Sequence, residues 1–439
     1  MTEEIFAQMG AAIKKTSLTR PVGYVTQIAG STVRIRGLSQ TAHVGDRVQM
    51  IGALTMGEVV RTSQNTLDAL MDGTTEGLGL GAKVVLSRRP AFAPHAGWIG
   101  RVIDPDGHPL DGRPLLPGLT KQQVSAKPPP ANARREMGQR LSTTYAVFDT
   151  LLPIVRGQRI GLFAGSGVGK STLLSSLAKN VDADVIVIGL VGERGRELRE
   201  FVEKSLGPDG MARSVIVAAT SDRAAQVRRR CPLAATAVAE YFRDKGLQVL
   251  LLIDSVTRFA EAHREVAVAA GETANLRGHP ASTPAAIAGL CERAGPGTGD
   301  SGDITAIYTV LVAGSDMEEP VADMLRGVLD GHVVLDRTIA ERGRFPAIDV
   351  TRSVSRSLPD AASPTENKAI QTARQHMGTY AQAELMIQAG LYSSGADAKI
   401  DAAIATHDAL EDFIATQGSF GIVGAFLLLQ RALNAASLR

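Results

Sequence analysis

The chain has 439 residues, with 47 Lys and Arg against 45 Asp and Glu, a formal charge of +2, 44% hydrophobic and 21% charged residues. That length predicts about three globular domains, and the near-neutral charge speaks against the basic footprint of a nucleic-acid binder. Cys231 and Cys291 have no pairing or metal spacing, the start "MTEEIFAQMGAAIKK" is unlike a secretory signal, and the apolar run Phe420–Leu429 is too short for a bilayer. Together these predict a reducing, cytoplasmic setting.

Residues 1–17 place Ile5, Phe6, Met9, Ala12 and Ile13 at helical spacing. This is either a helix packed on its own domain or a docking helix for a partner or an anionic surface. From Pro21 to about Arg89 the runs "GYVTQIAGSTVRIRGL", "VGDRVQM", "GEVVRT" and "AKVVLSRR" predict a small all-β domain, a barrel. The turn-rich "GRVIDPDGHPLDGRP" and the proline run "AKPPPANARR" follow, and the prolines by themselves read as a domain boundary.

Between roughly 151 and 350, "DVIVIGLV", "RSVIVAAT", "LQVLLLID", "DITAIYTVLVA" and "GHVVLD" alternate with helical patterns. Strands this continuously apolar are buried on both faces, as in a parallel sheet covered by helices. Within this region "GLFAGSGVGKST" lies between a strand, "GQRIGLFA", and a helix, "STLLSSLAK". Gly165, Gly167 and Gly169 let several N–H groups converge on one anion, Lys170 adds a point charge, and Ser171 offers a hydroxyl to magnesium. The segment Ala164, Gly165, Ser166, Gly167, Val168, Gly169, Lys170, Ser171 and Thr172 is therefore a candidate phosphate loop, with Ala164 where the usual motif has glycine.

Ligands of open α/β sheets collect beyond the carboxyl ends of the strands. Asp254 ends "LQVLLLID" and is the candidate acid for holding magnesium through water; Glu193 and Arg194 follow "DVIVIGLV" and are candidate catalytic groups, Glu193 to orient water. The basic run "QVRRRC" (226–231) reads as a solvated helix face or a subunit contact. From about Pro359 the pattern is helical and alanine-rich, ending in the apolar "GSFGIVGAFLLLQRALNAASLR", either a core helix or a docking patch.

Taken together, "GLFAGSGVGKS", "GERGREL", "LLLIDSVTRFAEAHREVAVAAGE" and "PAIDVTRSVS" resemble the type III secretion ATPases, most closely the flagellum-specific export ATPase, a branch of the superfamily of rotary ATP synthase alpha and beta subunits. The resemblance implies a multidomain α/β chain: an N-terminal helix (1–17), a β-barrel (18–90), a RecA-like P-loop parallel α/β domain (91–358) that takes in the proline run, and a C-terminal helical domain (359–439). It implies an ATP hydrolase in which Lys170 holds phosphate, Ser171 and Asp254 serve Mg2+, Glu193 polarises water, Arg356 is an arginine finger reaching a neighbouring subunit's nucleotide, and Phe345 lies against adenine. Because one chain carries both Glu193 and Arg356, a homohexamer with sites at its interfaces is expected.

The implied partners are a stator-like regulatory protein at the first helix, a stalk-like protein in the ring, the export gate, and export substrates with their chaperones, without nucleic acid. The implied location is cytoplasmic, peripheral to the inner membrane at the flagellar basal body. The alternative is a nonflagellar type III secretion ATPase; a rotary synthase subunit or a RecA-like nucleic-acid motor fits less well. Within "NLRGHPASTPAAIAGLCERAG", His279, Thr283 and Pro284 depart from the family pattern.

Overall fold

The computed structural model describes residues 19–52, 55–87, 92–312 and 317–434; the amphipathic stretch 1–17 lies outside them. Six antiparallel strands open the described chain: β1 (Val22–Ala29), β2 (Thr32–Arg36), β3 (Arg47–Met50), β4 (Met56–Thr62), β5 (Thr66–Met71) and β6 (Lys83–Ser87). They close in the order β1-β2-β5-β4-β3-β6. Alternate residues such as Val25, Val33, Ile35, Val48, Val59, Leu67, Ala69 and Val84 fill the interior. Strand β5 is an addition to the sequence reading. Its "TLDALM" is interrupted by Asp68, whose carboxylate takes Arg34 Nε at 2.8 Å and Arg61 Nε at 2.9 Å, so the charge sits in the barrel wall without loss of pairing.

A second sheet of eight strands forms from β7 (Arg101–Ile103), β8 (Arg159–Ala164), β9 (Val185–Glu193), β10 (Ser214–Thr220), β11 (Val249–Asp254), β14 (Ile304–Leu311), β15 (Gly331–Leu335) and β16 (Ile348–Ser355). A short hairpin, β12 (Ala274–Leu276) and β13 (His279–Pro280), stands apart. The large sheet runs β16-β15-β8-β14-β11-β9-β10-β7. Every pair is parallel except β15 with β16, so the quoted apolar strands form the expected parallel sheet and β16 adds an antiparallel edge strand. Strand β7 pairs with β10, which puts the chain before the proline run into this sheet.

The continuous apolar runs have their cause in packing. Leu162, Ile188, Leu252 and Ile307 face one buried cluster; Phe163, Val187, Leu251 and Tyr308 face another on the opposite side. The second cluster is covered by helices Ala225–Arg243 and Val256–Ala269.

The basic run at 226–231 is not a solvated face, since its arginines are half-buried and paired with acids. It clasps the barrel to the sheet: Arg229 Nη2 donates to Glu58 Oε1 at 2.6 Å, Arg230 also donates to Glu58, and Arg230 Nη1 reaches Asp106 Oδ1 at 2.6 Å. Gln226 Nε2 donates to Leu70 O and to Asp72 Oδ1 at 2.8 Å. Two arginines converging on one buried carboxylate are held by charge and by geometry at once.

Helices Pro364–Gln388, Ala398–Ala415 and Gly421–Asn434 complete the described chain. Ser363 and Glu366 form a reciprocal capping box at the first. The apolar tail is a core helix on one face, burying Ala425, Phe426, Leu429 and Ala432, with Val423 and Leu427 left on the other. No described helix is long and apolar enough to cross a membrane.

Candidate nucleotide site

Strand β8 ends at Ala164 and the next helix, Lys170–Asn180, starts six residues later. Between them Gly167 and Gly169 take φ of +79° and +85°, a left-handed backbone that side chains resist. Gly169 precedes the helix and offers no side-chain cap. The first amide N–H groups therefore remain available to an anion at the positive end of the helix. Val168 is buried and anchors the loop, while Ser166, Gly167, Ser171 and Thr172 stay exposed and Gly165 is half-buried.

The register of the sheet brings the other groups here. β14 lies between β8 and β11, and β9 flanks β11, so the carboxyl ends of β8, β11 and β9 present Ala164, Asp254 and Glu193 on one edge. Lys170 Nζ donates to Asp254 Oδ1 at 2.6 Å, and Thr309 Oγ1 donates to the same oxygen at 2.7 Å.

Glu193 is pushed up to about 7, first by burial and then by the negative charge of Asp254 and a hydrogen bond with Glu197, with Lys170 pulling the other way. Carboxyl groups crowded together in partial burial resist losing every proton. A carboxyl poised near neutrality can exchange a proton with water at physiological pH.

Phe345 arrives from the loop between β15 and β16. A Cβ built on Gly169 would lie 3.3 Å from its ring, so the ring rests against the phosphate loop with 52% of the residue exposed. Arg344 fixes the loop: its guanidinium donates to Pro346 O at 3.1 Å and Ile348 O at 2.9 Å, and Nε lies 2.6 Å from Glu411.

Two of the expected residues make no contact with Lys170, Asp254 or Phe345 among the described interactions. Arg194 is largely exposed and pairs with Glu197 at 3.3 Å. Arg356 lies just beyond β16, with its backbone N–H on Asp330 O at 3.0 Å and Nη2 on Arg326 O at 3.1 Å. Ser355 pairs with Gly331, the first residue of β15, whereas Leu335 at the other end of β15 pairs with Ala164. Four residues of strand, roughly 13 Å, therefore separate Arg356 from the loop end of the sheet.

Thr309 and Glu197 belong to the cluster and were not singled out from the sequence. Thr309 is a lone hydroxyl in an apolar run, and Glu197 is the second acid of "GERGRE".

Comparison with known proteins finds relatives over nearly the whole chain. Residues 144–355 match the ATP synthase alpha/beta family, nucleotide-binding domain, and residues 362–419 match the T3SS EscN ATPase C-terminal domain. The flagellum-specific ATP synthase of Caulobacter vibrioides is 42% identical over 95% of this chain and 98% of its own length. The assembled ATPase EscN of the enteropathogenic E. coli type III secretion system superposes with a TM-score of 0.87 at 35% identity, over 94% of this chain and all of that one. EscN in complex with its central stalk EscO gives a TM-score of 0.84 at 35% identity over the same shares.

Proposed function

We infer, for a chain that belongs to the flagellum-specific and type III secretion branch of the ATP synthase alpha/beta family, that it hydrolyses ATP to drive or prime delivery of proteins by a flagellar export apparatus. The observation that carries the reading is the convergence of Lys170, Asp254, Glu193 and Phe345 at one edge of the sheet while Arg356 stands at the other. Such a chain holds a nearly complete site and, at its opposite end, the group that a neighbour's site lacks.

In this mechanism the glycine loop cradles the phosphates through backbone N–H groups, and Lys170 turns from Asp254 to the terminal phosphates. Phe345 supports the base by stacking. Glu193 accepts a hydrogen bond from the attacking water and aligns it. Arg356 of an adjacent copy stabilises charge that develops on the transferring phosphoryl group.

The oxygen donors fit a hard divalent cation: the Ser171 hydroxyl beside Lys170 would ligate Mg2+ directly and the Asp254 carboxylate through water. When bound, that ion neutralises phosphate charge. Arg194, next to Glu193 in the chain and paired with Glu197 at 3.3 Å, is kept as a proposed catalytic residue.

The assembly proposed is a homohexamer with a stalk-like protein at its axis, supported by the assembled and stalk-bound forms of EscN. A stator-like partner at residues 1–17, an export gate, substrates with their chaperones and a place at the inner face of the membrane complete the proposal. The domain limits 18–90, 91–358 and 359–439 are kept as proposed boundaries. A nonflagellar secretion ATPase is the second reading, favoured by the EscN match.

Replacing the resident gene by a Glu193→Gln version tests the assignment. Loss of filaments and of secreted flagellin, with other secretion intact, is expected. Intact motility with loss of a different secreted set would move the chain to the nonflagellar branch.

A further inference from the structure

Thr309 is fully buried on β14, the strand that separates the phosphate-loop strand β8 from the Asp254 strand β11. It pairs with Leu162 of β8, and the register Ile253 to Tyr308 sets it beside Asp254 of β11. Its neighbour two residues back, Ile307, packs in the same aliphatic cluster as Leu162 and Leu252. A valine would fill such a position equally well by shape, and a hydroxyl among aliphatic groups costs free energy unless it finds a partner. The partner it has is Asp254 Oδ1, at 2.7 Å.

Lys170 Nζ shares that oxygen at 2.6 Å. Both described hydrogen bonds to the carboxylate thus fall on Oδ1, which directs Oδ2 away from them. The two donors are not equivalent. A lysine at the mouth of a phosphate loop is drawn toward the more highly charged phosphates when nucleotide arrives, whereas a hydroxyl on a buried strand stays where it is. After that exchange, Thr309 is the donor left holding the carboxylate.

We propose that Thr309 is a positioning residue for magnesium: by retaining Asp254 Oδ1 after Lys170 has turned to the phosphates, it keeps Oδ2 aimed at the water shell of the nucleotide-bound ion. This rests on the reading of Asp254 as the metal-linked acid. It makes the gain in nucleotide affinity on adding magnesium depend on a hydroxyl that touches neither nucleotide nor metal.

The test is calorimetric titration of ADP into the full-length protein, in Mg2+ and in EDTA, for the unmodified chain, Thr309→Val, Thr309→Ser, Thr309→Ala and Asp254→Asn. Thr309→Val is expected to bind ADP in EDTA as the unmodified chain does and to lose about tenfold of the magnesium-dependent gain, the scale of one hydrogen bond to a charged group. Thr309→Ser should restore the gain. An undiminished gain in Thr309→Val, or a loss in Thr309→Ser equal to that in Thr309→Val, would overturn the proposal, the second by making position 309 a packing site.

If Thr309→Val does not fold, the pair Thr309→Ser and Thr309→Ala decides: a gain kept by Ser and lost by Ala supports the proposal, and equal behaviour overturns it. Asp254→Asn separates the two levels. A gain lost in Asp254→Asn but kept in Thr309→Val removes the role of Thr309 alone; a gain kept in both removes the reading of Asp254 as well.

Discussion

Arg356 and Lys170 stand at opposite ends of one sheet. β16 runs antiparallel to β15, so Ser355 meets the start of β15 while the end of β15 meets Ala164, at the root of the loop that leads to Lys170. A finger at Arg356 therefore cannot close on the phosphates of its own chain without dismantling the strand that carries it.

Specific activity should consequently rise with protein concentration, because dilution that separates subunits separates Arg356 from the phosphates. Arg356→Ala should bind ATP with little change and turn it over about 10³-fold more slowly. Turnover and nucleotide binding measured over a hundredfold range of concentration check both statements. Concentration-independent activity would count against sites between chains.

Glu193 sets a pH dependence. As an acceptor for water it acts when deprotonated, so kcat/KM should climb as pH rises through about 7, where the free protein holds that proton. The same shift has a stability consequence of opposite sign. The folded chain keeps the proton up to about 7 and the unfolded chain releases it near 4.5, so this group's contribution falls as pH rises across that window. Glu193→Gln should flatten the pH dependence of melting, retain ATP binding and lower turnover by about 10²-fold or more. Paired melting curves and rate profiles from pH 5 to 8.5 test this.

Phe345→Ala should weaken nucleotide binding by about tenfold, in line with the loss of one stacked base, with the slope of rate against pH unchanged. Gly169→Ala should do more damage, because its Cβ would meet the Phe345 ring at 3.3 Å in a backbone of φ +85°. Fluorescent-nucleotide titration of both variants ranks them.

Glu58 accepts from two arginines at the barrel junction, Arg229 and Arg230. Glu58→Ala would take from Arg229 its described carboxylate partner and leave Arg230 with Asp106 alone, at a cost of about 3 kcal/mol or more if both stay in place. The expected signs are an earlier melting transition and faster proteolysis between the barrel and the sheet. An unchanged melting curve would mean that the barrel is held mainly by apolar contact.

The left-handed turn before Lys170 and the strand-end positions of Asp254 and Glu193 were legible because their signals are local: glycines at fixed spacing, and an acid closing a buried apolar run. Asp254 could be singled out on that ground alone. The clasp was not legible, since Arg229 and Arg230 meet Glu58 across about 170 residues of chain and no local pattern distinguishes them from a solvated helix face. Strand β5 was hidden by Asp68, whose arginine partners lie on two other strands. Thr309 looked like ordinary β-strand composition, and only the order of strands puts its hydroxyl on a carboxylate.

The central claim is that one chain supplies Glu193 and its neighbour supplies Arg356, and mixing two inactive proteins tests it most directly. Glu193→Gln and Arg356→Ala, each purified alone, should hydrolyse ATP very slowly. Combined over a range of ratios, they should regain activity with a maximum near equal amounts, where interfaces with an intact Glu193 on one side and an intact Arg356 on the other are most numerous. Activity that stays at the sum of the separate proteins at every ratio, with mixed rings shown to form, would contradict it.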